Sequence, residues 1–451
     1  MRYVKLLFVI VCLISLMGCS FFDSNEETDL VDLEEQGDQQ LTVLIGEVSD
    51  PLSAEVVRIF REAVVQFELD HPGVKVTIDT TTTQALYDDK LFPKEESQEL
   101  PDIIVVSPNK LNKYAASNIL AELSVYANND NMPMSDFYMP LLEGASRNGE
   151  WITIPFSPTP LVIYYNKDWF DTANLPYPDP NWTWDDYAKT AQLLKASRAS
   201  SDTVVFGGIL VPDLFLLEQM VLSQGGSVIS PDGKKVTGYL DSEASVKAVQ
   251  FMIDFLNDQK LIEEMNPISM NSLDYLNLQK TGMIVSGSNA LFFLEPQLGT
   301  KLGVASLPSF QGGARANFIT MLGLSIMEQS DDKQLAWELL KLISIEQNEF
   351  TQQWSQWFLA NNTPLAKSTG QDQDPFKTVM LDELNHVQRS ALEQNEHYVT
   401  AFRRESMIYG MLNNLFSLQE AAEIKAQLTL IAQFIDEDMA KSEAASKQSN
   451  P

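Results

Sequence analysis

The stretch WITIPFSPTPLVIYYNKDWF, residues 151–170, constrains the fold most, because three prolines stand between two strand-like apolar runs. Proline has no N–H to give to a sheet ladder, so Pro155, Pro158 and Pro160 predict an irregular crossing or loop there. Before it, strands and helices alternate. LTVLIG (41–46) reads as a short buried strand, followed by a helix with Val56, Phe60, Ala63 and Phe67 on one face and Pro72–Gly73 closing it. VKVTID alternates as a half-buried strand, and PDIIVVS (101–107) is a third, followed by a helix through Tyr114 and Leu120. Such a β-α-β-α rhythm implies a mostly parallel sheet covered by helices. Beyond the prolines, Thr183 and Asp186 are spaced as a helix capping box, and GMIVSGS (282–288) is a strand ending in glycine. LGVASLP (302–308) precedes a glycine-rich turn, and DDKQLAWELLKLIS is a capped helix. No internal repeat and no long structureless linker separates the halves. The prediction is an α/β chain of two lobes with mostly parallel sheets, joined by more than one crossing. One lobe spans 41–150 with roughly 305–365 returning to it; the other spans 151–304 with roughly 366–440 packing on it or on the hinge, before a polar tail at 441–451.

The start of the chain predicts where it works. Arg2 and Lys5 precede the apolar run Leu6–Leu16, and small Gly18 stands before Cys19, which together describe a signal peptide over 1–18. The run is too short for a comfortable membrane span, which needs about 20 apolar residues. LMGC resembles the bacterial lipobox, so Cys19 is expected to become the lipidated N-terminus, held stably if it carries more than one acyl chain. Residues 19–40, rich in Asp, Glu, Gln and Ser, read as an acidic flexible tether. No cysteine follows Cys19, so no disulfide supports the exported body. The net charge of −31 argues against nucleic acid and against a basic membrane-surface helix, which leaves the lipid as the expected membrane contact.

Motifs for chemistry are missing. His71, His386 and His397 lack metal-ligand spacing, no G-x-S-x-G elbow occurs, and no G-x-G-x-x-G opens a helix. DGKK at 232–235 lacks the earlier glycine and the Ser/Thr of a phosphate loop. With 62 acidic residues, any chosen carboxylate pair is uninformative as a glycosidase dyad. No metal and no cofactor is expected, although calcium bound by scattered loop carboxylates would leave no tight signature.

Five segments, in order, resemble the bacterial extracellular solute-binding proteins of sugar ABC importers (family 1, maltodextrin and multiple-sugar type). They are PDIIVVSPNKLNKYAASNILAEL, ITIPFSPTPLVIYYNKDWF, WTWDDYAKTAQLL, GMIVSGSNALFF and DDKQLAWELLKLIS. The resemblance implies a two-lobe periplasmic-binding-protein-like fold with a hinge and an interlobe ligand cleft. It further implies a receptor, not an enzyme, that hands a carbohydrate or sugar-like solute to the permease subunits of an ABC importer. A monomer outside the cytoplasm, held to the cell membrane by Cys19, is expected. The alternatives are an exported lipid-anchored carbohydrate-active enzyme and a degenerate binding protein serving a sensor.

Ligands favour the carboxyl ends of strands and domain interfaces. That rule selects Glu47 after the first strand, Ser107, Asn109 and Lys110 after the third, Ser157 and Thr159 beyond Pro155, and Ser288 and Asn289 after the later strand. Most are neutral and can both donate and accept hydrogen bonds, as a sugar hydroxyl does. The sequence departs from the maltodextrin-binding pattern: Leu44, Val106 and Asn289 stand where that resemblance implies tryptophan. Its charged Asp–Arg pair reads Asn109–Lys110, and a glutamate reads Thr159. A small or unusual sugar is therefore expected, unless Trp151, Trp182 or the pair Trp354–Trp357 supplies an aromatic platform; Trp184 reads as core.

Overall fold

The computed structural model describes residues 39–449 apart from 47–50, 82, 94–98, 199–203, 213, 262–271, 396–397, 399–413, 416–417 and 419. The leader, Cys19, the tether and Glu47 lie outside the described residues. The chain begins with β1 (Gln39–Ile45), α1 (Pro51–Asp70), β2 (Val74–Thr80), α2 (Gln84–Leu91), β3 (Ile103–Val106) and α3 (Pro108–Ala116). β1 pairs in parallel with both β2 and β3, as right-handed crossovers through helices require. The apolar face of α1 (Val56, Phe60, Ala63 and Phe67) is buried against this sheet. Helices α4 (Ser124–Asn129) and α5 (Met139–Gly144) follow, then a hairpin of β4 (Ser146–Arg147) and β5 (Glu150–Trp151). Its turn residues Asn148 and Gly149 have φ of 55° and 86°, the left-handed pair that a tight hairpin demands.

Of the irregular crossing or loop expected at the prolines, the structure shows the crossing, as a strand whose irregularity is a bulge. β6 (Ile154–Asn166) is continuous, with a bulge between Phe156 and Thr159 and Ser157 at φ 51°. Two features accommodate the prolines: the first half of β6 has a paired neighbour on one side alone, and the bulge releases the ladder around Pro158. After β6 come α6 (Lys167–Ala173), α7 (Trp184–Arg198), α8 (Leu214–Leu222), α9 (Glu243–Gln259), α10 (Ser272–Asn277), β7 (Met283–Gly287), α11 (Leu291–Leu298) and β8 (Leu302–Ala305). The Thr183–Asp186 capping box forms: Asp186 N–H donates to Thr183 Oγ1, and Thr183 N–H donates to Asp186 Oδ2. β7 and β8 flank the second half of β6, both antiparallel.

The chain then returns. β9 (Ile319–Ile326) inserts between β3 and the first half of β6, antiparallel to both, and α12 (Lys333–Ser344), α13 (Glu349–Trp354) and α14 (Thr363–Ser368) follow. Last come α15 (Pro375–Glu383), α16 (Ala391–Gln394) and α17 (Ala421–Ser449). α17 is tied back by Asp436, whose carboxylate accepts from the N–H groups of Val236 and Thr237. The result is one sheet, β2-β1-β3-β9-β6-β7 with β8 beside β6, in two sections that share β6. The hand-over is sharp: Pro160 is the last β6 residue paired with β9, and Leu161 the first paired with β7. Just before it, Phe156 packs edge-on against Phe60 and Trp354, contacts worth about 0.5–1.5 kcal/mol each beyond area burial.

Candidate functional site

Strand directions bring the expected site segments to one boundary. β1, β3 and the first half of β6 run the same way, so Gly46, Ser107 and Ser157–Pro160 end on one edge of the first section. β7 runs against β6, so its carboxyl end at Gly287 meets Leu161 at that same boundary. Val106 faces Gly323, which faces Pro155; Ser107 therefore stands two strand spacings, about 10 Å, from the β6 bulge.

The structure draws Ser157, Thr159, Ser288 and Asn289 together. Thr159 is buried, and its hydroxyl donates to the Ser157 carbonyl at 3.1 Å. The carbonyls of Gly287 and Ser288 accept the buried Tyr164 hydroxyl at 3.0 and 2.9 Å, and burial pushes that phenol well above its usual range. Gly287 leaves room that a larger residue would have to take from its neighbours. A Cβ there would lie 2.9 Å from Asn289 Oδ1 and 2.9 Å from Thr159 Cγ2, so the two side chains meet over its α-carbon. On the first-section rim, Ser107 occupies the N-cap position of α3 and is half-buried. Asn109 lies in the first turn of α3, with its side chain outside the description. Lys110 points its Nζ to Asp88 Oδ2 at 3.8 Å, a carboxylate that also holds Lys113 at 3.0 Å.

The half-buried aromatic rings at this boundary are Trp357, one of the pair the sequence offered, and Phe292, which sequence reasoning missed. Trp151 and Trp182 are buried, the latter donating its indole N–H to the Ser306 carbonyl, and Trp354 is buried with its N–H on the Ile343 carbonyl. All three rings pack against other aromatic side chains: Trp151 on Phe137 and Trp337, Trp182 on Tyr187 and Trp354 on Phe156. Trp357 is half-buried, whereas the other six tryptophans are buried. It stacks on Phe292 with ring centroids 3.6 Å apart and planes 21° from parallel. Phe292 belongs to α11 of the second section, three residues beyond Asn289, whereas Trp357 follows α13 of the first. The stack therefore bridges the two sections. Nearby, the half-buried Lys377 on α15 donates to the Ser355 carbonyl at 2.7 Å; desolvation lowers its pKa, opposed by Asp374 and by Glu295 of α11. The sequence signal for Phe292 was its i+3 spacing from Asn289, which a strand-end rule stopped short of.

Among the described residues, no group of three or more His, Cys, Asp or Glu side chains could hold a metal ion. Among them too, no helix is long and apolar enough to cross a membrane.

Residues 51–346 match the sequence profile of the bacterial extracellular solute-binding proteins. The chain belongs to that family. As a member of this solute-binding family it takes up a ligand and does not convert one, so the exported enzyme weighed from the sequence is set aside. Its work is extracytoplasmic. An arabinooligosaccharide-binding protein of Halalkalibacterium halodurans is 21% identical over 316 residues, 66% of this chain and 67% of that protein. A second, from Bacillus subtilis, is 22% identical over 309 residues, 66% and 69% of the two chains. The sugar-binding protein MalE of Xanthomonas citri superposes with a TM-score of 0.73 at 17% identity, covering 91% of this chain and all of that one (100%). An ABC substrate-binding protein of Listeria monocytogenes in complex with cycloalternan gives 0.66 at 18% identity, with 90% and 99% coverage. These likenesses establish the two-lobe α/β solute-binding fold.

Proposed function

We propose that this family member is a receptor for a neutral saccharide, which it holds between the two sheet sections and presents to an ABC importer from a membrane anchor at Cys19. The first section, with residues roughly 305–365 returning to it, acts as one lobe, and the second with the C-terminal helices acts as the other. One observation carries the saccharide reading: Thr159 and Asn289 meet over Gly287, with Phe292 on the same turn and Trp357 reaching in from the opposite section. The side chains gathered there, Ser157, Thr159, Ser288 and Asn289, are uncharged and able to both donate and accept. Sugar hydroxyls match that dual character, while the C–H face of a sugar ring suits an aromatic surface. The names of the arabinooligosaccharide-binding relatives and the cycloalternan complex support the same class of solute.

A solute shifts an open–closed equilibrium only by its differential contacts with the two states, so it has to touch both lobes. Phe292 and Trp357 come from opposite sections and stack on each other, so a solute laid along the edge of that stack would touch both. The test is a thermal-shift screen of the purified protein with arabinotriose, maltose, tagatose and charged sugar phosphates. A neutral saccharide at about 100 times its Kd is expected to add about 2.7 kcal/mol of stability. A shift seen with charged solutes and with no neutral saccharide would overturn the reading.

A further inference from the structure

The hand-over in β6 leaves a gap that one side chain fills. On the β9 side, β6 is paired up to Pro160; on that same edge, pairing with β8 resumes at Ile163. Leu161 lies in between. Its N–H donates to Asn317 Oδ1 at 3.0 Å, and its carbonyl accepts from Asn317 Nδ2 at 2.8 Å. The asparagine amide thus reproduces the donor and acceptor of a missing strand residue. Asn317 is fully buried, and its other bonds reach the C-terminal crossing: its N–H donates to the His386 carbonyl at 2.8 Å, and its carbonyl accepts the Gln388 N–H at 2.9 Å. Nδ2 also donates to Glu383 Oε2 at 2.7 Å. Glu383 of α15, itself fully buried, accepts at Oε1 from Leu307 N–H (3.2 Å) and Arg315 Nη1 (3.1 Å). One carboxylate therefore clamps both ends of the 307–317 segment, and three chain crossings between the sections meet on one amide.

A backbone ladder is rigid, but an amide on rotatable side-chain bonds can turn while keeping its partners. We propose that Asn317, held by Glu383, is the pivot about which the two sections rotate, and so a positioning residue that sets the balance between open and closed forms. The proposal rests on the receptor reading only for its effect on affinity, and its own signature is legible without solute.

The experiment uses full-length C12S/C19S protein, which holds no other cysteine, with spin labels at V65C on α1 and L278C after α10. These positions are 60% and 65% exposed, one on each section. Distance distributions are recorded by double electron–electron resonance, without and with arabinotriose or maltose. The variants are N317A, N317D, E383Q, the N317D/E383Q pair, and V249A in the core of α9 as a control destabilised at a remote site. The expected result is a broader solute-free distribution for N317A than for V249A. The apparent Kd should also be at least tenfold weaker, because a smaller fraction of molecules is competent. N317D, which sets a carboxylate against Glu383, should be worse than the N317D/E383Q pair, in which the new amide restores a donor. Should N317A fail to fold, the non-additivity of that pair decides. If N317A matches V249A in width and Kd, or if N317D and E383Q simply add, the pivot is refuted. If instead no saccharide moves the wild-type distances while N317A still broadens them, the receptor reading fails and the pivot stands.

Discussion

Adding a single methyl group at Gly287 should separate binding from stability. Gly287 has φ −66° and ψ 155°, a conformation that alanine adopts without strain, so Gly287→Ala acts through space alone. The new Cβ would stand 2.9 Å from both Asn289 Oδ1 and Thr159 Cγ2, short of ordinary contact (about 3.5 Å) by roughly 0.6 Å. Thr159 is buried, β-branched and bonded to the Ser157 carbonyl, so it gives little. Asn289 is half-exposed, and its amide can swing into water. The yielding partner is therefore Asn289. A tightly packed core would lose about 1–3 kcal/mol to such an insertion; here the loss should stay below about 1 kcal/mol, a fall in Tm of about 2 °C or less. Solute binding should suffer more. Losing the Asn289 hydrogen bond and narrowing the site predicts an affinity about tenfold weaker, or about 1.4 kcal/mol. Differential scanning fluorimetry gives the Tm, and titration with the saccharide found by the screen gives the Kd. A Tm drop of about 5 °C with unchanged Kd would mean that the pair over Gly287 is mere packing, and the reasoning would be wrong.

Trp357→Ala should weaken saccharide binding about three- to tenfold, whereas Trp357→Phe keeps most of the affinity; equal losses in both variants would argue against a stacking role. Burial, and then the charge of Arg315, hold His386 below the usual imidazole range, so the unfolded chain takes up a proton first as pH falls. The stability His386 contributes is present above about pH 6.5 and is lost as pH drops through its lower folded-state value. Melting curves between pH 7.5 and 5.5 should therefore fall less for His386→Asn than for the wild type, and parallel curves would contradict this. Cys19→Ser should release the protein from the membrane or leave it unprocessed, and an intact mass of the native protein without acyl groups would remove the anchor.

The strand ends were legible in the sequence because short apolar runs closed by glycine, serine or proline leave few alternatives. That is why Thr159 and Asn289 could be placed near one another before any coordinates. The stack of Phe292 on Trp357 was not legible: 65 residues separate the partners, and they meet only because β9 returns the chain to the first section. Trp354 and Trp357 also looked alike on a helical face. The helix ends at Trp354, which turns the two rings to different surroundings. Asn317 and Glu383 were hidden for another reason. One acid among 62 carries no mark of burial, and its role depends on a ladder gap that exists only once β8 and β9 are both in place. The prolines marked the irregularity but not that it sits within a strand, because a bulged strand with an open flank spares the N–H groups that proline lacks.

Titration calorimetry of the mature protein with neutral oligosaccharides decides whether the boundary between the two sections holds a saccharide. Arabinotriose and maltose serve as the first ligands, with the triple variant T159A/N289A/W357A as comparison. The wild type should bind a neutral saccharide saturably and one-to-one. In the folded triple variant the affinity should be at least a hundredfold weaker, the sum of two lost hydrogen bonds and one lost aromatic face. Undiminished saccharide binding by that variant would place the solute elsewhere in the molecule and contradict the account.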